Sequence, residues 1–183
     1  MEARFNLFEN DIASRIGPMS EETMTSSLDF LFAKAGGSPR VVLHFGSGEP
    51  LLRFPMLQRV VAEAEHRAAA TGKTIGYELT TNATLVTPEI AAFLRDHGFN
   101  VRVSCDGPPD IHNRFRPILG GKSSYEQVKR GLDLLLEHLA DRVTINSVLS
   151  HPTRLSTLWA WAREMGFRRF HVIKVGAYAD RDI

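Results

Sequence analysis

The chain is short of cysteine, of net charge and of long apolar runs, and each shortage removes a class of function. Its 183 residues hold one cysteine, Cys105. A single thiol excludes an intrachain disulfide framework and any all-cysteine metal site. Lysine and arginine number 22 against 21 aspartates and glutamates, a formal charge of +1. That balance leaves no electrostatic footprint for nucleic acid or for an anionic membrane surface. No apolar run approaches the roughly 20 residues that span a bilayer. The start of the chain carries Glu2, Asn6, Glu9, Asn10 and Asp11 without a signal-peptide core, so a cytoplasmic protein is expected. His44 has no partner histidine at metal-ligand spacing. Low-complexity segments and linkers are also missing. What is there, 43% hydrophobic and 23% charged residues, is the composition of a soluble globular domain.

Residues 1–18 show no clear period and are expected to form an irregular lead-in that ends at Gly17-Pro18, ahead of one domain over 19–183. Ser20 is an N-cap candidate, with Glu21 and Glu22 in the first turn, where a helix favours negative charge. Met24, Leu28, Leu31 and Phe32 follow at helical spacing, and Gly36-Gly37 stops the helix. Val41 to Phe45 is a buried strand. A helix from about Phe54 to Thr71 carries Leu57, Val60, Val61, Ala64 and Ala68 on one face, and Gly72 stops it. Thr74 to Thr81 is the second strand. Thr87-Pro88-Glu89 opens the next helix with a capping hydroxyl and a proline at the first helical position. Ile90, Phe93 and Leu94 face inward, and Gly98 closes it. Phe99 to Ser104 is the third strand, followed by a longer loop through Gly120-Gly121. Ser123 and Glu126 have the spacing of a capping box for a helix with Val128, Leu132, Leu135, Leu136 and Leu139 inward. Arg142 to Leu149, a helix from Thr153 through Leu155, Leu158 and Trp161, and Arg168 to Val175 complete the order. Trp159 and Trp161 are expected to pack that last helix. Strand–helix alternation with glycine-stopped helices points to parallel strands joined by crossovers, an α/β fold. Most of an open or closed barrel fits, and a doubly wound sheet fits the pattern alone.

The loops that follow strands differ from those that follow helices. After strands the chain carries Gly46-Ser47-Gly48-Glu49, Thr80-Thr81-Asn82 and Ser104-Cys105-Asp106-Gly107. Ligands of parallel α/β folds bind at the C-terminal ends of strands, so the three clusters converge on one edge. Glu49, held extended by Pro50, is either a solvated turn carboxylate or the acceptor for a ligand ammonium. Asn82 is a turn residue or a ligand contact. Ser104 and Asp106 cap a turn or reach ligand hydroxyls and a carboxylate. Arg114 and Arg116 are surface charges, or one grips a ligand carboxylate with its planar fork. His112 and Cys105 are expected to be structural, the thiol as a small apolar group.

In order along the chain, these residues resemble the radical S-adenosylmethionine (SAM) superfamily. The run Phe45 to Leu52 resembles its Gly-Gly-Glu-Pro motif, with Ser47 in place of the first glycine. Thr80 to Leu85 is similar to its Thr-Asn-Gly-Thr-Leu segment, with Ala83 in place of glycine. Val103 to Pro108, then Ile111 to Arg114, Arg116-Pro117, Ser124 to Glu126, Val128 and Gly131-Leu132 resemble a longer signature. That signature is typical of the branch with anaerobic sulfatase maturases and peptide-modifying enzymes that carry a C-terminal SPASM domain. The resemblance covers about Met19 to Val175.

It implies a partial (β/α)6 TIM-like barrel. It implies that Glu49 and the backbone near Ser47 and Gly48 bind the SAM amino group, with Asn82 and Ser104 near the methionine or ribose. Asp106 would shape the same pocket, Arg114 or Arg116 would reach the SAM carboxylate, and the strands around Asn146-Ser147-Val148 and Val172-Ile173 would flank the adenine. The family reduces SAM with a [4Fe-4S] cluster held by a Cys-x3-Cys-x2-Cys loop after the first barrel strand. Neither that loop nor that strand is found here, and Cys105 is a single thiol on another strand. The expected protein is therefore a fragment, without the first strand and the C-terminal SPASM-type domain. It would come from an enzyme that cleaves SAM to a 5′-deoxyadenosyl radical to modify a peptide or protein side chain, and it would be inactive alone. The alternative is a degenerate, non-catalytic domain that binds a peptide or partner. An ordinary α/β metabolic enzyme leaves the ordered signature unexplained. The uncovered edge at Val41 would drive oligomerisation or aggregation unless residues 1–18 cover it.

Overall fold

The structure, a computed structural model, describes residues 19–46, 48–118 and 120–174. The expected lead-in over 1–18, Ser47 and the end of the last strand at Val175 lie outside the described residues. Five strands form one all-parallel sheet in the order β1-β2-β3-β4-β5. They are β1 (Arg40–Phe45), β2 (Thr74–Thr81), β3 (Asn100–Ser104), β4 (Val143–Leu149) and β5 (Arg169–Lys174). The helices are α1 (Glu21–Ala35), α2 (Phe54–Thr71), α3 (Pro88–Asp96), α4 (Pro109–Phe115), α5 (Tyr125–Leu139) and α6 (Leu155–Glu164). The fold is the expected wall of parallel strands from a partial barrel.

Alternation along the strands decides which face is covered. Val41, Tyr77, Leu79, Val101, Val103, Val143 and Ile145 point to the helices and are buried. Leu57 and Val61 of α2, Ile90 and Leu94 of α3, and Leu132 and Leu135 of α5 close over all of these but Val41 in one continuous core. Tyr77 stacks on Phe99 with ring centroids 4.8 Å apart. A second small cluster joins Met24 and Leu28 of α1 to Val60 and Ala64 of α2. Arg67 fastens those two helices by reaching Asp29 at 2.9 Å. The opposite face of the sheet is mostly polar and charged, with Val42 and Ile173 also exposed on it.

The local start signals work as expected at two helices. Ser20 accepts the Thr23 N–H at 3.1 Å, and Thr87 accepts the Ile90 N–H at 3.2 Å. Elsewhere the structure differs from the sequence expectation. Part of the expected loop after β3 is a helix, α4. The expected capping box of α5 is not formed, because Ser124 sits at the N-cap without a side-chain cap bond. Asn113 of α4 caps α5 instead: its Oδ1 accepts from Ser124 N at 3.1 Å and Tyr125 N at 3.0 Å. Helix α6 begins after Arg154 rather than at Thr153. Of the two tryptophans, only Trp161 packs inward, donating from Nε1 to Tyr125 Oη at 3.0 Å, whereas Trp159 is exposed.

Candidate functional site

The C-terminal edge of the sheet carries three loops, the first two bonded to each other and the third bonded to the end of α4 and to β4. The first follows β1. Glu49 precedes a single 3-10 turn, Pro50–Arg53, and its Oε1 accepts the Leu51 N–H at 3.2 Å. The same oxygen accepts from Thr81 Oγ1 at 2.8 Å, and Oε2 accepts the Asn82 N–H at 2.8 Å. Glu49 therefore ties the end of β1 to the end of β2. A carboxylate has about four acceptor sites, so three neutral donors leave one open on Oε2. No cation pairs with Glu49 among the described residues.

The second loop follows β2. Asn82 Oδ1 accepts from Thr84 N at 3.0 Å and Thr84 Oγ1 at 2.7 Å, which leaves the amide NH2 without a protein acceptor among the described residues. Ala83 takes φ +61°, a left-handed value that most residues avoid. Its carbonyl lies against Gly131 of α5, where an added Cβ would stand 2.0 Å from the oxygen. Glycine is required at 131 because the loop backbone touches the helix backbone.

The third loop follows β3. Ser104 lies on the polar face of the sheet, opposite Asn146 in register. Its hydroxyl has no protein partner among the described residues. Asp106 is different. Its side chain is 4% exposed, and Arg116 grips it through Nε at 2.7 Å and Nη2 at 3.2 Å. Val148 N adds a third bond, to Oδ1, at 2.9 Å. Asp106 thus joins β3, α4 and β4. Behind it, His112 Nδ1 accepts the Asp106 N–H at 3.3 Å, so the ring proton sits on Nε2, which donates to Ser124 Oγ at 3.0 Å. Ser124 Oγ in turn donates to the Arg116 carbonyl at 2.5 Å. Burial pushes the His112 pKa down, which keeps the ring neutral as this chain of bonds needs. Gly107 completes the loop at φ +131°, where a Cβ would strike Leu158 at 2.5 Å.

These contacts sort the sequence-derived candidates. Glu49 and Asn82 are bonded to each other, Gly48 adjoins Glu49 with φ +65°, and Ser104 follows Val103, the register partner of Thr81. Arg116 is committed to Asp106. Arg114 lies outside this group, over the Phe115 ring at 5.5 Å. Ser147 is fully buried and donates to the Cys105 carbonyl, so it does not face the polar side. The pairing of Asp106 with Arg116 and the roles of Asn113 and Ser124 were not foreseen, since each joins residues that no local pattern links.

The residues suit a SAM-like ligand and do not suit a cluster. An open carboxylate acceptor, a free amide NH2 and a free hydroxyl on one sheet edge match an ammonium, a carboxylate and ribose hydroxyls. Cys105, by contrast, is fully buried, donates to the Gly107 carbonyl at 3.6 Å, and has its pKa pushed up to about 12 by burial. A thiol so held is not a ready thiolate ligand, and a [4Fe-4S] cluster needs several. Among the described residues no group of three His, Cys, Asp or Glu side chains is placed to hold a metal ion. No helix among them is long and apolar enough to cross a membrane.

Comparison with known proteins bears on the family and the fold. The pattern of the "Radical SAM superfamily" matches residues 28–165. The serine-type anaerobic sulfatase-maturating enzyme of Bacteroides thetaiotaomicron is 32% identical over 120 residues, 66% of this chain and 28% of that protein. The cysteine-type anaerobic sulfatase-maturating enzyme of Clostridium perfringens is 26% identical over 164 residues, 89% of this chain and 44% of that protein. Among solved structures, native anSMEcpe with bound AdoMet superposes with a TM-score of 0.78 at 24% identity, covering 86% of this chain and 43% of that one. The same protein with bound AdoMet and the Cp18Cys peptide gives 0.79. The chain spans less than half the length of these relatives.

Proposed function

The chain belongs to the radical SAM superfamily, and from that premise we propose that residues 19–174 are the SAM-binding wall of an enzyme that modifies a residue of a peptide or protein. The observation that carries this reading is the Glu49 carboxylate. It is anchored by three neutral donors, unpaired with any described cation, and open at one acceptor site beside Asn82. The SAM ammonium would occupy that site. The Asn82 amide NH2 would face the methionine carboxylate, and the Ser104 hydroxyl the ribose. SAM is the source of the radical chemistry in this family. The protein's part is to bind it and to orient the sulfonium end towards the substrate. A peptide substrate is supported by the Cp18Cys peptide bound in the anSMEcpe structure and by the maturase relatives.

With one cysteine, these 183 residues do not carry the ligand set of a [4Fe-4S] cluster, and catalysis by them alone is not expected. Equilibrium dialysis of labelled SAM against the 183-residue chain tests the assignment. Saturable binding in which methylthioadenosine, lacking the amino-acid arm, competes about tenfold less well supports it, since a hydrogen bond to a charged group is worth about 1.5–3 kcal/mol. Absence of SAM binding by folded protein contradicts it. The single cysteine also favours a second reading, a non-catalytic peptide-binding domain, which predicts peptide binding without any SAM binding.

A further inference from the structure

The polar face of the sheet holds charges that the SAM-binding reading does not use. One row crosses four strands in register: Thr80 on β2, Arg102 on β3, Thr144 on β4 and Arg169 on β5. These four side chains, with His44, Glu78 and Asn100, line a cavity of about 220 Å³. Arg102 and Arg169 are separated by two strand spacings, roughly 9.5 Å between backbones. Arginine side chains are long enough to converge over the Thr144 hydroxyl between them. Arg40 adds a third cation on the same face, its guanidinium lying across Gly76. Glu78 is the one carboxylate of the five strands on this face.

None of Arg40, Arg102, Arg169 or Glu78 has an ion-pair partner among the described residues. Arg59, Arg67, Arg95 and Arg116 all hold carboxylates. A merely solvated sheet face would be expected to alternate signs. Three cations to one anion, two of them flanking one threonine in register and lining one cavity with it, is instead a donor set for an anion. Guanidinium forks match a carboxylate in shape as well as charge.

We propose that Arg102, Thr144 and Arg169 form a subsite for a carboxylate side chain of the peptide or protein substrate. This rests on the peptide-modifying reading and narrows it to substrates with an acidic residue close to the modified one. Placement supports that. Arg102 lies two residues before Ser104, about 6.6 Å along the strand, and Thr80 lies two residues before Asn82. The subsite is thus about one side-chain repeat below the edge where SAM would bind, within reach of the neighbouring residues of one extended peptide.

The test is calorimetric titration of the 183-residue chain, at low ionic strength, with two acetylated and amidated pentapeptides, Ala-Gly-Glu-Gly-Ala and Ala-Gly-Gln-Gly-Ala. The glutamate peptide is expected to bind about tenfold more tightly, the scale of one charge-assisted contact. Arg102→Gln and Arg169→Gln should each remove most of that preference. Glu78→Gln should increase it, a gain that misfolding cannot produce. Equal binding of the two peptides, binding of neither, or a preference that survives in the double arginine variant overturns the subsite. SAM titrated into the same samples separates the two readings. SAM binding without peptide preference overturns the subsite and leaves the SAM site standing. Peptide preference without SAM binding does the reverse.

Discussion

Two carboxylates stand at the ends of strands in the same sheet edge, and they are held in opposite ways. Asp106, after β3, is nearly sealed from solvent, and two of its three hydrogen bonds come from the Arg116 guanidinium. Glu49, after β1, is half-buried, and its three donors are two backbone N–H groups and a hydroxyl. The first charge is neutralised inside the protein. The second is oriented but not neutralised. A carboxylate that already has its cation is a strut, and one that is aimed by neutral donors with an acceptor site to spare is the one we propose as a receptor. Position on the C-terminal edge does not separate the two roles, but the charge state of the partners does.

The largest effect that follows is on the strut. Asp106→Ala should cost about 3 kcal/mol of stability, the low end for breaking a buried pair because Arg116 is partly exposed and re-solvates. Urea unfolding measures it. A loss under 1 kcal/mol would erase the contrast between the two carboxylates. Next comes the receptor. Glu49→Gln should weaken SAM binding tenfold or more, about 1.5–3 kcal/mol for a bond to a charged group, while lowering stability by only about 1 kcal/mol.

A smaller effect concerns the support behind Asp106. His112 is held neutral by burial, its pKa below the ordinary 6.5. Below 6.5 the unfolded chain takes up a proton that the folded chain refuses, so this histidine's stabilising contribution is complete above pH 6.5 and is lost as pH falls towards the depressed value. Urea midpoints at pH 7.5 and 5.5 should fall for the natural chain and fall less for His112→Gln. Equal losses would remove His112 from the support. The smallest effect is expected at Ala83. The left-handed backbone costs alanine about 1–2 kcal/mol, glycine gives back about 0.4–1 kcal/mol of chain entropy, and losing the buried methyl costs about 0.8 kcal/mol, so Ala83→Gly should shift stability by less than about 1 kcal/mol. It should leave SAM affinity unchanged, since Glu49 holds this loop through Thr81 and Asn82 rather than through the methyl.

What the sequence showed of this site follows from the range of the forces involved. Ser20 and Thr87 cap their own helices within three residues, and the apolar alternation of β2, β3 and β4 is local, so strands, helices and the edge that carries the polar loops were legible. The strut was not. Arg116 meets Asp106 only because α4 turns the chain back, and α4 is seven residues long and sits where turn residues are dense. The cap of α5 was misassigned for the same reason: Asn113, on another helix, outcompetes the nearer Ser123–Glu126 pair. The tryptophans were legible in part. Two residues apart on a helix cannot face one core, and Trp159 is the one left outside. Arg102 and Arg169 alternate with buried Val101, Val103 and half-buried Phe170, so their place on the polar face was present in the pattern, but not their shared cavity.

We propose that the Glu49 carboxylate receives the SAM ammonium. The most direct measurement is a calorimetric comparison of SAM and methylthioadenosine on the natural 183-residue chain and on Glu49→Gln. The substitution should weaken SAM tenfold or more and leave methylthioadenosine, which has no ammonium, within about twofold. Equal weakening of both ligands, or unchanged SAM affinity in a folded Glu49→Gln protein, would contradict it.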